Sequence, residues 1–147
     1  MLNNRELLFS YARDWLTNGY KEHTIPPTEN GGYRTEKNAL HIWPRGEDML
    51  IALPNMDGSF TVTLFLPYAN SNYCFENLIT PEKVHEYFHS EFPDSLALMP
   101  NLTEVFFDNP TGPLVTINFS PWTSFGKFFF LGFAAPAILP FYVQGSN

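Results

Sequence analysis

Two short stretches alternate between faces with a period of two. In Asp48–Leu53 the side chains of Met49, Ile51 and Leu53 point one way and those of Leu50 and Ala52 the other. In Ser59–Leu66 the residues Phe60, Val62, Leu64 and Leu66 share one face, and Thr61, Thr63 and Phe65 the other. Alternation rich in β-branched and aromatic residues predicts strands. The five-residue connection from Pro54 to Gly58 ends in Asp57-Gly58, a turn signal, because glycine takes positive φ without steric cost. Both faces of the second run are apolar enough to be covered, so this hairpin, the centre of residues 38–66, has a core on one side and a ligand or another domain on the other.

Elsewhere the pattern changes. Leu8, Tyr11, Ala12 and Trp15 recur at helical spacing before Thr17-Asn18-Gly19, which predicts an amphipathic helix over residues 4–17. Tyr20–Ile25 is a short strand ended by Pro26-Pro27, and a polar loop carrying Gly31-Gly32 leads to a strand at Leu40–Trp43. After a polar excursion over 67–79, Thr80 as N-cap and Pro81 at the first helical position start a helix over residues 80–92, stopped by Pro93. Val105–Phe107, Pro113–Phe119 and Phe128–Leu131 are apolar runs of strand type. The fold class is α+β: a mainly antiparallel sheet with flanking helices, in one domain spanning 1–147 without repeats or linkers.

Charge and composition narrow the partners. A net charge of −7, with eight Lys plus Arg scattered along 147 residues, excludes a phosphate-tracking surface for nucleic acid or anionic lipid. The lone Cys74 allows no internal disulfide and fits a reducing, cytoplasmic setting. The N-terminal residues lack a basic region followed by a long apolar run, so no secretory signal is expected and Asn101-Leu102-Thr103 is an unused glycosylation match. Phe128–Val143 carries no charge. As a helix at ~1.5 Å per residue it would fall short of a ~30 Å hydrocarbon core. Pro136 and Pro140 break it, so it is a buried strand and loop rather than a membrane segment.

The motif with overt chemistry is His85-Glu86-Tyr87-Phe88-His89. On a helix the two imidazoles share a face, and the glutamate could activate water in a zinc hydrolase. Such a site needs a third ligand, yet no histidine follows His89, and Glu104 or Asp108 would have to serve. The same helix has a packing explanation in the stripe Val84, Tyr87, Phe88 and Phe92, which prevails, and no metal is assigned. His23 and His41 lie in strands without spaced partners, and Cys74 has no basic neighbour in sequence to activate it.

The segments LHIWPRG and MLIALPNMDGSFTVTLFLP resemble the substrate-domain hairpin of the kynurenine 3-monooxygenases, FAD-dependent aromatic hydroxylases. GYKEHTIPP at 19–27, HSEFPD at 89–94 and GKFFFLGFAAPAILPFYVQGSN at 126–147 match in the same order. The resemblance implies the substrate-binding domain of a flavin aromatic hydroxylase. Its complete form hydroxylates L-kynurenine, an intermediate of tryptophan catabolism, with FAD, NADPH and O₂. It also implies that Leu40, Met49, Ile51, Leu53, Thr63 and Phe65, with Pro140 and Phe141, line the substrate wall. Without the resemblance the strand positions are simply core.

The resemblance further assigns 126–147 to the flavin edge, where Gly132, Gln144, Gly145 and Asn147 keep the family's residues. Phe133 stands in place of the family's aspartate, Pro136 in place of a histidine, Val143 in place of a glycine and Ser146 in place of a methionine. Phe133 removes an acceptor for sugar hydroxyls, and Val143 puts a Cβ where the backbone should approach the cofactor. No G-x-G-x-x-G follows a predicted strand. The family's arginine clamp for the substrate carboxylate lies in the absent nucleotide-binding half. The chain alone is therefore expected to be inactive and to bind FAD weakly, and its apolar surface to meet that half or a second copy. A non-catalytic binding module on the same sheet is the alternative.

Overall fold

The computed structural model describes residues 10–121, 123–124 and 128–129. Their order is β1 (Ser10–Ile25), β2 (His41–Arg45), β3 (Asp48–Pro54), β4 (Phe60–Pro67), α1 (Pro81–Glu91), α2 (Pro93–Leu96), α3 (Leu102–Asp108), β5 (Gly112–Ser120), β6 (Thr123–Ser124) and β7 (Phe128–Phe129). The first five strands form one sheet in the order β2-β3-β4-β1-β5, while β6 and β7 pair separately. The pairs β1–β4, β2–β3 and β3–β4 are antiparallel, as the α+β reading requires. By contacts the chain divides into two compact units, residues 17–113 and residues 1–16 with 114–147.

In the 17–113 unit the β3–β4 hairpin forms as its alternation predicts. Asn55 and Ser59 close the turn through a 2.8 Å backbone hydrogen bond, and Gly58 sits at φ +90°. The Asp57 carboxylate accepts from both the amide and the hydroxyl of Ser59, at 3.0 and 2.6 Å. Thr80 caps α1 by accepting from the Lys83 amide, with Pro81 at the first turn. Val84, Tyr87 and Phe88 pack with Phe92 into a core that also takes Leu50, Ala52, Phe60, Val62, Leu64 and Leu66 from the hairpin.

Three expectations are corrected. Residues 10–17 are strand, not helix. Tyr11 and Trp15 of the helical-spacing stripe are 54% and 60% exposed in this strand, and residues 4–9, with Leu8, lie outside the described residues. Arg13 lies over the Tyr11 ring at 5.2 Å, an i, i+2 contact of extended chain, and Asn118 of β5 donates to Asp14 at 3.1 Å.

Gly19 is not a helix stop. It sits within β1, where an added Cβ would lie 2.7 Å from the Tyr68 ring and 2.9 Å from the Gly112 carbonyl, so the position needs hydrogen for close approach. Val105–Phe107 is helix rather than strand. Leu102 and Phe106, at i and i+4, are the residues it buries, and a three-residue apolar run is too short to show its period.

Candidate functional site

Strand register divides the residues of the 17–113 unit between two faces of the sheet. Cross-strand partners lie on the same side. Lys21↔Leu64, His23↔Val62, Ile25↔Phe60, Leu50↔Leu64 and Ala52↔Val62 define the face that carries the helices. The opposite face follows from Ile42↔Ile51↔Thr63↔Glu22 in one row and Pro44↔Met49↔Phe65↔Tyr20 in the next. Leu53↔Thr61↔Thr24 forms a third.

The structure therefore brings Met49, Ile51, Leu53, Thr63 and Phe65 together on the face away from the helices. Leu40 stands one residue before β2 and is exposed. Ile51 and Phe65, at the centre, are only 5% and 3% exposed, while Met49, Leu53 and Thr63 are half-buried. The surface grades from apolar on β2 and β3 to polar on β1. Tyr20, Glu22, Thr24 and Ile42 share it and escaped the sequence reading. Period-two spacing within Tyr20–Ile25 groups the first three, but only the long-range β1–β4 pairing shows that they join the hairpin's face.

The helix-side face holds two polar groups with structural roles. Lys21 Nζ donates to the carbonyls of Phe106 and Asn109 at 2.8 and 2.9 Å, capping the C-terminal end of α3, and lies 4.5 Å from the centre of the Phe106 ring. His23 packs between Phe88 and Phe106, with ring centroids 6.0 and 5.7 Å away, and neither ring nitrogen has a hydrogen-bond partner. Burial, with a smaller contribution from the Lys21 charge, lowers its pKa to about 4. This imidazole stays neutral and enclosed, unsuited to proton transfer with a ligand. His41 stacks on Trp43 with centroids 5.9 Å apart, and Cys74 is buried.

His85 and His89 do share one exposed helix face. With Pro81, Glu82, Glu86 and Thr103 they line an open depression of about 540 Å³. Among the described residues no group of three His, Cys, Asp or Glu converges to hold a metal ion. A second, smaller cavity of about 150 Å³ lies between Tyr20, Glu22, Asn109, Pro110 and Gly112.

The flavin edge is a different matter. Gly132, Pro140, Phe141, Gln144, Gly145 and Asn147, with the departures at Phe133, Pro136, Val143 and Ser146, lie outside the described residues. Within the described residues the positive-φ glycines Gly31, Gly46 and Gly58 occupy turns, and none opens a helix. A glycine-rich turn leading into a helix, the usual cradle of a dinucleotide phosphate, is thus not found among the described residues. No described helix is long and apolar enough to cross a membrane.

No protein-family model matches the chain. Curated proteins do. A kynurenine 3-monooxygenase of Flavobacterium psychrophilum is 50% identical over 143 residues, covering 97% of this chain and 32% of the relative. That of Myxococcus xanthus is 50% identical over 139 residues, 95% of this chain and 30% of the relative. That of Dictyostelium discoideum is 50% identical over 137 residues, 93% and 30%. The chain thus spans about a third of the length of the curated relatives it matches. Among solved structures, a variant of 2-methyl-3-hydroxypyridine-5-carboxylic acid oxygenase superposes with a TM-score of 0.65 at 19% identity, over 94% of this chain and 36% of that one. That likeness is one of fold.

Proposed function

We propose, from the premise that this chain is a partial, substrate-domain-like relative of the kynurenine 3-monooxygenases, that its sheet supplies the substrate wall of a flavin-dependent aromatic hydroxylase. The observation that carries this reading is the register. Met49↔Phe65 and Ile51↔Thr63 put the five strand residues singled out from sequence on one face, turned away from the helix core. A flat aromatic ring needs a mostly apolar wall with few polar groups. Met49, Leu53 and Leu40 supply the apolar contacts, Ile51 and Phe65 the packed floor beneath them, and Thr63 a hydroxyl within the same row. The named ligand is L-kynurenine.

Flavin, when bound with NADPH and O₂ in the complete enzyme, supplies the hydroxylating chemistry. These residues position the ring and exclude water from it, and they move no proton. Pro140 and Phe141 extend the wall in this reading, and Gly132, Gln144, Gly145 and Asn147 form what is left of the flavin edge. Phe133 and Val143 favour a second reading, a non-catalytic module that keeps the wall and has lost the cofactor.

Calorimetric titration with FAD and with L-kynurenine, separately and together, tests both. Weak kynurenine binding without stoichiometric FAD supports a wall lacking its cofactor grip. Stoichiometric flavin overturns the loss of the cofactor site, and no response to kynurenine overturns the wall.

A further inference from the structure

The row Ile42↔Ile51↔Thr63↔Glu22 runs from an apolar side chain at the sheet edge to a carboxylate on β1. Among the residues in register across β2, β3, β4 and the 18–25 part of β1, Glu22 is the single charged side chain on the face away from the helices. It is exposed, and no cation of the described residues pairs with it. Lys21, its neighbour in sequence, is turned to the other face and holds the α3 carbonyls. The Glu22 main chain is fixed, since its carbonyl accepts from Asn109 Nδ2 at 2.8 Å. Glu22 also borders the cavity of about 150 Å³ with Tyr20, Asn109, Pro110 and Gly112. That space is too small for an aryl ligand, whose pockets run to at least ~300 Å³, but it suits the short polar tail of an amino acid.

We propose that Glu22 receives the α-ammonium of the ligand, so that this face selects aromatic amino acids over aromatic acids that lack the amine. The inference rests on the reading of the sheet face as a substrate wall. Cross-strand neighbours stand ~4.5–5.5 Å apart, so a ring lying against Thr63, half-buried and the direct partner of Glu22, places its side chain one residue-width from that carboxylate. A carboxylate there attracts an ammonium and repels the ligand's own carboxylate, which fixes the direction in which the tail leaves the ring.

The test is calorimetric titration of the full chain with L-kynurenine and with the same aryl keto acid lacking the α-amino group. The wild-type chain is expected to favour the amino acid on the order of tenfold. Glu22→Gln, isosteric and on an exposed position, loses that preference, with weaker binding of the amino acid and no weakening for the desamino acid, whose carboxylate no longer meets a like charge, and Glu22→Asp retains part of it. A wild-type chain that binds both compounds equally, or a Glu22→Gln chain that keeps the preference, overturns the role of Glu22 and leaves the wall standing. If neither compound binds the wild-type chain, the wall and the role of Glu22 fall together. The wild-type comparison needs no variant, so it decides even if Glu22→Gln fails to fold.

Discussion

Tyr87 donates its phenolic hydrogen to Asp48 Oδ2 at 3.0 Å, tying the middle of α1 to the first residue of β3 inside the helix-side core. Burial pushes the Tyr87 phenol well above its ordinary range, and the Asp48 charge adds to this, so it remains a donor at every working pH. Burial also raises the Asp48 carboxyl. The Tyr87 hydrogen bond opposes that rise, and Glu91 and Glu47 reinforce it. This contact holds the base of the β3–β4 hairpin that carries the proposed wall.

Tyr87→Phe leaves the Asp48 carboxylate buried without its donor and is expected to cost about 1–3 kcal/mol at pH 7. Asp48→Asn keeps an acceptor for the phenol and removes the charge, so it is expected to be at least as stable as wild type at neutral pH. The sign follows from linkage. A carboxyl whose folded pKa is raised contributes stability below its unfolded value and loses it as pH rises through the folded value. Urea denaturation of the wild type and both variants at pH 4 and pH 7 checks this.

His23 sets the acid limit. It is 2% exposed, its folded pKa is about 4 against an ordinary 6.5, and its ring nitrogens are unpartnered. The unfolded chain takes a proton on this residue near pH 6.5, which the folded chain refuses until about pH 4. Stability is therefore lost as pH falls through that window, by on the order of 3 kcal/mol. His23→Leu is expected to flatten this limb and to gain about 1 kcal/mol at pH 7 by removing an unsatisfied polar group. Thermal melts from pH 7 to pH 4 show it.

Lys21→Met keeps the aliphatic stem and deletes the ammonium that caps α3 at the Phe106 and Asn109 carbonyls. The expected loss is about 1–3 kcal/mol, with faster amide exchange over Leu102–Asp108 than over α1.

Gly19→Ala is expected to destabilise by about 1–3 kcal/mol, because the new methyl meets both the Tyr68 ring and the Gly112 backbone oxygen. Tyr68 can swing aside, but a main-chain carbonyl in the same unit cannot. Gly19→Ala with Tyr68→Ala is therefore expected to recover only part of the loss, as read by the denaturation midpoint.

Gly19 also shows why part of the fold was hidden in the sequence. A glycine after Thr17-Asn18 signals the end of a helix in local terms, whereas its reason here is a contact with residues far along the chain. The hairpin and α1 were legible because their signals are local: alternation around an Asp-Gly turn, and a Thr-Pro start before an apolar stripe. Leu102–Asp108 escaped because its helical evidence is just two residues, Leu102 and Phe106. Met49, Ile51 and Leu53 share a face, as do Thr63 and Phe65, as the period within each strand implies. The continuation of that face through Glu22, Tyr20 and Ile42 depends on pairings between strands, which no single strand reveals. The likeness to the curated relatives is legible directly in the hairpin and the segments flanking it.

Methyl NMR during addition of L-kynurenine tests the substrate wall most directly. Shifts at Met49, Ile51 and Leu53, with Leu50, Val62 and Leu64 on the opposite face unmoved, are the predicted result. A ligand that leaves Met49, Ile51 and Leu53 unmoved, or that perturbs only the depression beside His85 and His89, contradicts the account.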